Sequence, residues 1–206
     1  DAVATYLFSD ADIIIWLNEA EEEAALRARL IFDATTTAVC SITVTAGTNT
    51  YALSELVFVI ERASFLATGE TEPVKLYLRD RFSLDRTRPD WRTVEMEPEE
   101  LIVDDKKVQL ACLPASGGVL SLEVYRAPLT AMDDNSDTPE IGRAHHRHLV
   151  EWAKFRAFSR PDTEVFDAKR AETAEKAFTR QFGERPDADR RRATYVDQPH
   201  HTKAWV

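Results

Sequence analysis

The sequence predicts an α+β fold: a helical bundle with an inserted small antiparallel β module and an extended C-terminal tail. Three observations lead there. Near both ends of the 206-residue chain, apolar residues recur every three or four positions, the period of a helix with one buried face. Between about residues 34 and 126 they recur every second position, the period of a strand. The last fourteen residues follow neither period yet carry Tyr195 and Trp205. The expected boundaries are 1–33 and 139–192 for the helical bundle, 34–138 for the β module with its connecting loop, and 193–206 for the tail.

In the first element Ser9 is placed to cap a helix, and Asp10 and Asp12 suit the positive end of its dipole. Ile13, Leu17, Ala20, Ala24, Ala28 and Ile31 form its apolar stripe, mostly alanine, so the partner must approach closely. Glu19 and Glu21–Glu23 read as a solvated face. From Ala38, alternation through Cys40, Ile42 and Val44 predicts a strand, ended by the turn at Gly47–Thr50. Leu56–Ile60, Val74–Leu78, Val108–Cys112 and Val119–Tyr125 read as further strands, the last two joined as a hairpin through PASGG, with Gly117 and Gly118 free to take positive φ. Ser83 would cap a short helix or turn in SLDRTRPDWR. Pro139 suits the first turn of a second helix, which ends at Arg160-Pro161. A third starts after Asp162 and stops at Gly183, with Val165, Ala168, Ala171, Ala174, Phe178 and Phe182 as its stripe.

The formal charge of −10 disfavours a protein that grips nucleic acid by neutralising phosphates. It is unevenly spread: residues 1–33 hold eight acids and two basic groups, 34–138 seventeen and ten, 139–192 ten and thirteen. Cys40 and Cys112 lie far apart in strand-like stretches and read as buried reduced thiols of a cytosolic product. No apolar run has the length of a membrane span, and DAVATYLFSD has no signal-peptide character.

The candidate chemistry centres on PEIGRAHHRHLVEWAKFRAF. His145 and His148 share a helix face and could offer a metal two ligands, the basis of a small metal-dependent enzyme; His146 projects elsewhere, and no third ligand is evident. Packing or subunit contact is the stronger reading for all three. No HExxH, GxSxG, GxGxxG or phosphate-cradling loop occurs, and Glu99-Glu100, Asp104-Asp105 and Asp133-Asp134 read as solvated pairs in loops. The residues therefore point to a non-enzymatic protein without cofactor or metal. In the tail ATYVDQPHHTKAWV, Tyr195, Val196, Trp205 and Val206 are the candidate partner-docking residues, since a free tail would be polar throughout. Fully extended it would span about 46 Å, enough to reach another subunit.

The opening FSDADIIIWLNEAEEEAALRARLIFDATT resembles the start of phage head–tail connector, or neck adaptor, proteins. The stretches TAGTNTYALSELVFVIERASF and PDWRTVEMEPEELIVDDKKVQLACLPASGGVLSLEVYRAP are similar to the β module of adaptors of short-tailed phages, and PEIGRAHHRHLVEWAKFRAFSR and DAKRAETAEKAFTRQFG to their closing helices. The resemblance implies a structural virion protein of the neck, assembled in the host cytoplasm. It implies a closed ring of about twelve copies below the portal protein, extending the channel through which genomic dsDNA passes without specific binding and meeting a downstream tail or neck protein. It brings no catalytic residues, and C-terminal segments that reach the portal correspond here to Tyr195, Trp205 and Val206. A tail-tube or baseplate protein is the alternative within the same oligomeric logic.

Overall fold

The computed structural model describes residues 7–134, 136–161 and 164–186. They form two compact units, one of residues 7–32 and 126–186, the other of residues 33–125. In chain order the helices are α1 (Asp10–Ala28), α2 (Thr37–Cys40), α3 (Arg81–Thr87), α4 (Arg143–Phe158) and α5 (Ala168–Phe182). The strands are β1 (Phe32–Asp33), β2 (Ser41–Val44), β3 (Thr50–Ala52), β4 (Val57–Ala67), β5 (Val74–Leu78), β6 (Glu95–Met96), β7 (Glu100–Val103), β8 (Lys107–Leu110), β9 (Leu113–Pro114) and β10 (Gly118–Arg126).

The unit of residues 33–125 is built on a sheet in the order β10-β4-β5-β7-β8-β3, with β2 along β10 and the two-residue β1 bringing the count to eight strands. The pairs Ala63↔Leu76, Leu101↔Leu110 and Tyr51↔Val108 are antiparallel, but Tyr77↔Glu100 joins β5 to β7 in parallel. A parallel neighbour requires a crossover, and the stretch holding α3 and β6 supplies it, so the expected all-antiparallel module is corrected here. Along β4, Ile60 is buried, Glu61 and Arg62 both face water, and Ala63 is buried again. The step from Ile60 to Ala63 therefore breaks the strict alternation of inward and outward side chains. The sheet is curled into a half-barrel.

Its main core contains Ile60, Phe65, Leu76, Leu101, Leu110, Leu120 and Leu122, each at most 2% exposed, with Val39 and Cys40 of α2 in the same cluster. Thr37–Cys40, expected as the start of a strand, makes one helical turn that buries these two adjacent side chains, which a strand would send to opposite faces. A second cluster joins Ile102 and Ala111 to Leu84 of α3 and to Trp91. Trp91 Nε1 donates to Asp85 at 2.9 Å, and the same carboxylate pairs with Arg92.

The hairpin expected between 108–112 and 119–125 does not form. β8 pairs with β7 and β3, whereas β10 takes β2 and β4 as neighbours, and β9 makes a separate short parallel ladder with β6. Neither Gly117 nor Gly118 adopts a positive φ. Gly118 is required for another reason: a Cβ there would lie 2.3 Å from the Leu66 carbonyl oxygen and 2.8 Å from the Phe65 ring.

The helical bundle with a small inserted module is thus overturned as the fold class. The protein is mostly a curled β half-barrel accompanied by helices, with 26% strand against 34% helix. The physical reason lies in side-chain size. Apart from Trp16, the apolar residues α1 buries are alanines, Ala20, Ala24 and Ala25, whereas the strands bring phenylalanine, leucine and isoleucine to the core. Large aliphatic side chains remove far more apolar surface from water than alanine does.

In the other unit α4 packs with α1 and α5. α1 begins at its expected cap, with Ser9 Oγ accepting the Asp12 N–H at 3.1 Å. α4 starts at Arg143 and not at Pro139, because the preceding residues are held by other groups: Glu140 makes an ion pair with Arg126 at 2.6 Å and accepts the Leu129 N–H at 2.8 Å. α5 starts at Ala168, capped by Asp167, which accepts the Lys169 and Arg170 N–H groups at 3.0 Å each. Gly118→Ala is expected to lower stability by about 1–3 kcal/mol through overpacking, seen as a lower thermal midpoint with an unchanged circular dichroism spectrum at low temperature.

Candidate partner-docking surfaces

The docking residues expected from the sequence, Tyr195, Val196, Trp205 and Val206, lie outside the described residues. The histidines lie within them. His145 and His148 both sit against the Phe182 ring, with centroids 5.8 and 6.4 Å away. His148 Nε2 accepts from Arg147 Nε at 3.0 Å, so the lone pair that a metal would use there already meets a cation. His145 Nδ1 is buried without a hydrogen-bond partner beside that apolar ring. His146 Nε2 donates to the Ile141 carbonyl at 2.8 Å and tethers the segment ahead of α4 to the helix. Among the described residues no group of three or more His, Cys, Asp or Glu side chains is placed to hold a metal. The three rings serve packing and tethering.

The paired acids also have structural roles. Glu100 lies on β7 between Arg79 (3.2 Å) and Arg88 (2.8 Å), and Asp104 chelates the Arg81 guanidinium. Asp137 accepts the Asp133 N–H at 2.7 Å, and Asp134 accepts the Ser136 N–H, within one loop. Burial pushes the Cys112 thiol up to about 11, which keeps it a protonated, unreactive thiol at neutral pH.

The Glu21–Glu23 run departs furthest from its expected solvated face. Glu21 is 1% exposed, and its Oε1 accepts the Ile141 N–H at 3.1 Å. Desolvation raises its carboxyl above the ordinary range; the backbone N–H groups of Ile141 and Glu140 oppose this, the Glu140 charge adds to it and His146 opposes it. Glu23 is also buried and pairs with Arg27 at 2.8 Å. The Arg27 guanidinium lies 5.4 Å from the Trp152 ring and 5.2 Å from Phe178, and donates to Thr179 Oγ1 at 3.0 Å. Arg27 thus touches all three helices. The one sequence signal for it was Glu23 and Arg27 spaced one helical turn apart.

This geometry alters the reading of the charge asymmetry. The acid-rich first segment and the base-rich 139–192 segment carry charges of opposite sign. Several are matched within the chain, Glu19 with Arg156 at 2.9 Å and Asp12 with Arg160 at 3.4 Å. Several large apolar side chains are also exposed. Phe82 on α3 is 77% exposed, with Tyr77 and Val74 of β5 about half exposed. Ile15 and Phe166 are similarly open in the helical unit. At the end of the half-barrel an open groove of about 410 Å³ is lined by Val44, Leu66, Gly118 and Val119, with Glu70 also lining it.

Two stability predictions follow from the buried charges. Arg27→Ala would remove the nearer of two guanidinium partners of the buried Glu23, leaving Arg185 at 3.6 Å, and cost about 1.5–3 kcal/mol, measurable by urea unfolding, whereas exchanging both Glu23 and Arg27 for apolar residues should recover much of the loss. Because the folded-state carboxyl of Glu21 is raised, its protonated form is favoured in the native state. Its contribution is present at acid pH and is lost as pH rises through the raised value. Glu21→Gln, which keeps an acceptor for the Ile141 N–H, should flatten this fall in a pH series of thermal midpoints.

No curated protein matches the chain. A family model of the SU10 adaptor protein matches residues 1–202. No helix among the described residues is long and apolar enough to cross a membrane. With histidines and acids given over to packing and tethering, and exposed apolar side chains left to meet other proteins, the match across nearly the whole length carries the assignment: the chain belongs to the SU10 adaptor protein family, a phage head–tail adaptor family of structural virion proteins.

Proposed function

We propose that this adaptor assembles as a closed ring of about twelve copies beneath the portal protein, where it extends the DNA channel and receives a downstream tail or neck protein. The observation that carries the reading is the family match over residues 1–202. Three features support it. Exposed apolar side chains such as Phe82 and Ile15 are suited to contacts between proteins. The formal charge of −10 lets dsDNA pass a lumen without being gripped, since acids repel phosphate at short range. The tail carries Tyr195, Val196, Trp205 and Val206, and a fully buried tryptophan would contribute roughly 2–3 kcal/mol to docking.

In this reading the tail is the portal-docking element and the rest of the chain builds the ring. Removing residues 193–206 is expected to leave the circular dichroism spectrum and the ring intact while abolishing co-sedimentation with portal particles. Unchanged portal binding would refute the role of the tail, and electron micrographs of necks without a ring of this chain would refute the assembly.

A further inference from the structure

The unit of residues 33–125 carries both halves of an unfilled contact. Phe82, on the outer face of α3, has the highest exposure of the large apolar side chains among the described residues, at 77%. Arg86 follows it at four positions' distance on the same exposed stripe of the helix, and no ion pair is seen for it among the described residues. The groove at the end of the half-barrel has aliphatic side chains from Leu66 and Val119 on its walls, with Thr43, Thr68 and Gly69 beside them. Glu70, also lining the groove, is likewise without an ion pair among the described residues. At about 410 Å³ the groove has room for a phenyl ring. The exposure of Phe82 shows that its own groove does not receive it.

We propose that Phe82 of one copy of this chain inserts into the Leu66–Val119 groove of a second copy, with Arg86 of the first meeting Glu70 of the second. An aromatic knob and an apolar groove at different places on one surface make a heterologous contact, the type that propagates head to tail and closes into a ring when the rotation permits. The charged pair sets the register, while the buried ring supplies most of the affinity. This inference rests on the ring reading and assigns the surfaces that build it.

The test uses the full chain and two single variants, Phe82→Glu, which spoils the knob, and Val119→Arg, which blocks the groove. Both positions are exposed, so both variants should keep the circular dichroism spectrum, and Phe82→Ala gives a milder check. Each variant alone should fail to assemble in analytical ultracentrifugation, with the contact weakened about thirtyfold or more. Mixed in equal amounts, the two variants retain one intact knob and one intact groove, so they should form a dimer of twice the chain mass and nothing larger. Arg86→Glu should weaken assembly, and adding Glu70→Arg should restore it. Wild-type rings that persist in both variants would overturn this contact and leave the ring reading standing. Variants that lose assembly but give no mixed dimer would also overturn it. A wild-type chain that forms no ring even with portal present would overturn both readings.

Discussion

Arg27 is the residue around which the helical unit is organised. Its guanidinium bonds Glu23 on its own helix, stacks near Trp152 of α4 and Phe178 of α5, and donates to Thr179. Beyond Trp16, α1 buries only alanines as apolar side chains, so much of its length has little apolar surface to hold the helices together. The long stem and planar head of one arginine fill that gap, combining aliphatic packing, cation–π contact and a charge-assisted hydrogen bond. The cost is a buried carboxylate, tolerable because the guanidinium lies directly against it.

The half-barrel solves the opposite problem. Its strands bring large aliphatic side chains inward, and the difficulty is closing the sheet around them without leaving an exposed edge. The missing side chain of Gly118 lets the Leu66 backbone and the Phe65 ring approach closely. Where β2 and β3 follow one another without pairing, the Tyr51 hydroxyl accepts the Thr45 N–H at 3.0 Å and donates to the Thr48 carbonyl. A single side chain thereby satisfies backbone groups that no ladder reaches. On the outer side, α3 covers Ile102 and Ala111, which turns Phe82 toward solvent.

These two solutions share a consequence for function. Acids that read as solvated, Glu21, Glu23 and Glu100, and the candidate metal ligand His148 are engaged in holding the fold. Large apolar side chains such as Phe82 and Ile15 are left outside. A protein with this inversion presents shape and apolar surface to other chains, in keeping with a structural adaptor of the virion.

Local features were legible along the chain. The Ser9 cap and the α5 stripe of Ala171, Ala174, Phe178 and Phe182 follow from hydrogen-bonding groups and periods that act within a few residues. The family could also be read from the order of such patterns, even though the fold class drawn from them placed the helices first. Tertiary structure alone decided the rest. Whether β10 pairs with β8 or with β4 depends on which strands meet across long loops, and alternation on one strand carries no information about its neighbour. Glu21 and Glu23 are hydrophilic by every local measure, and only the arrival of the Ile141 N–H and the Arg27 guanidinium from other turns makes their burial possible. A period reports which face of an element is apolar; the partners that cover that face, and the charges they bring with them, come from residues far away in the chain.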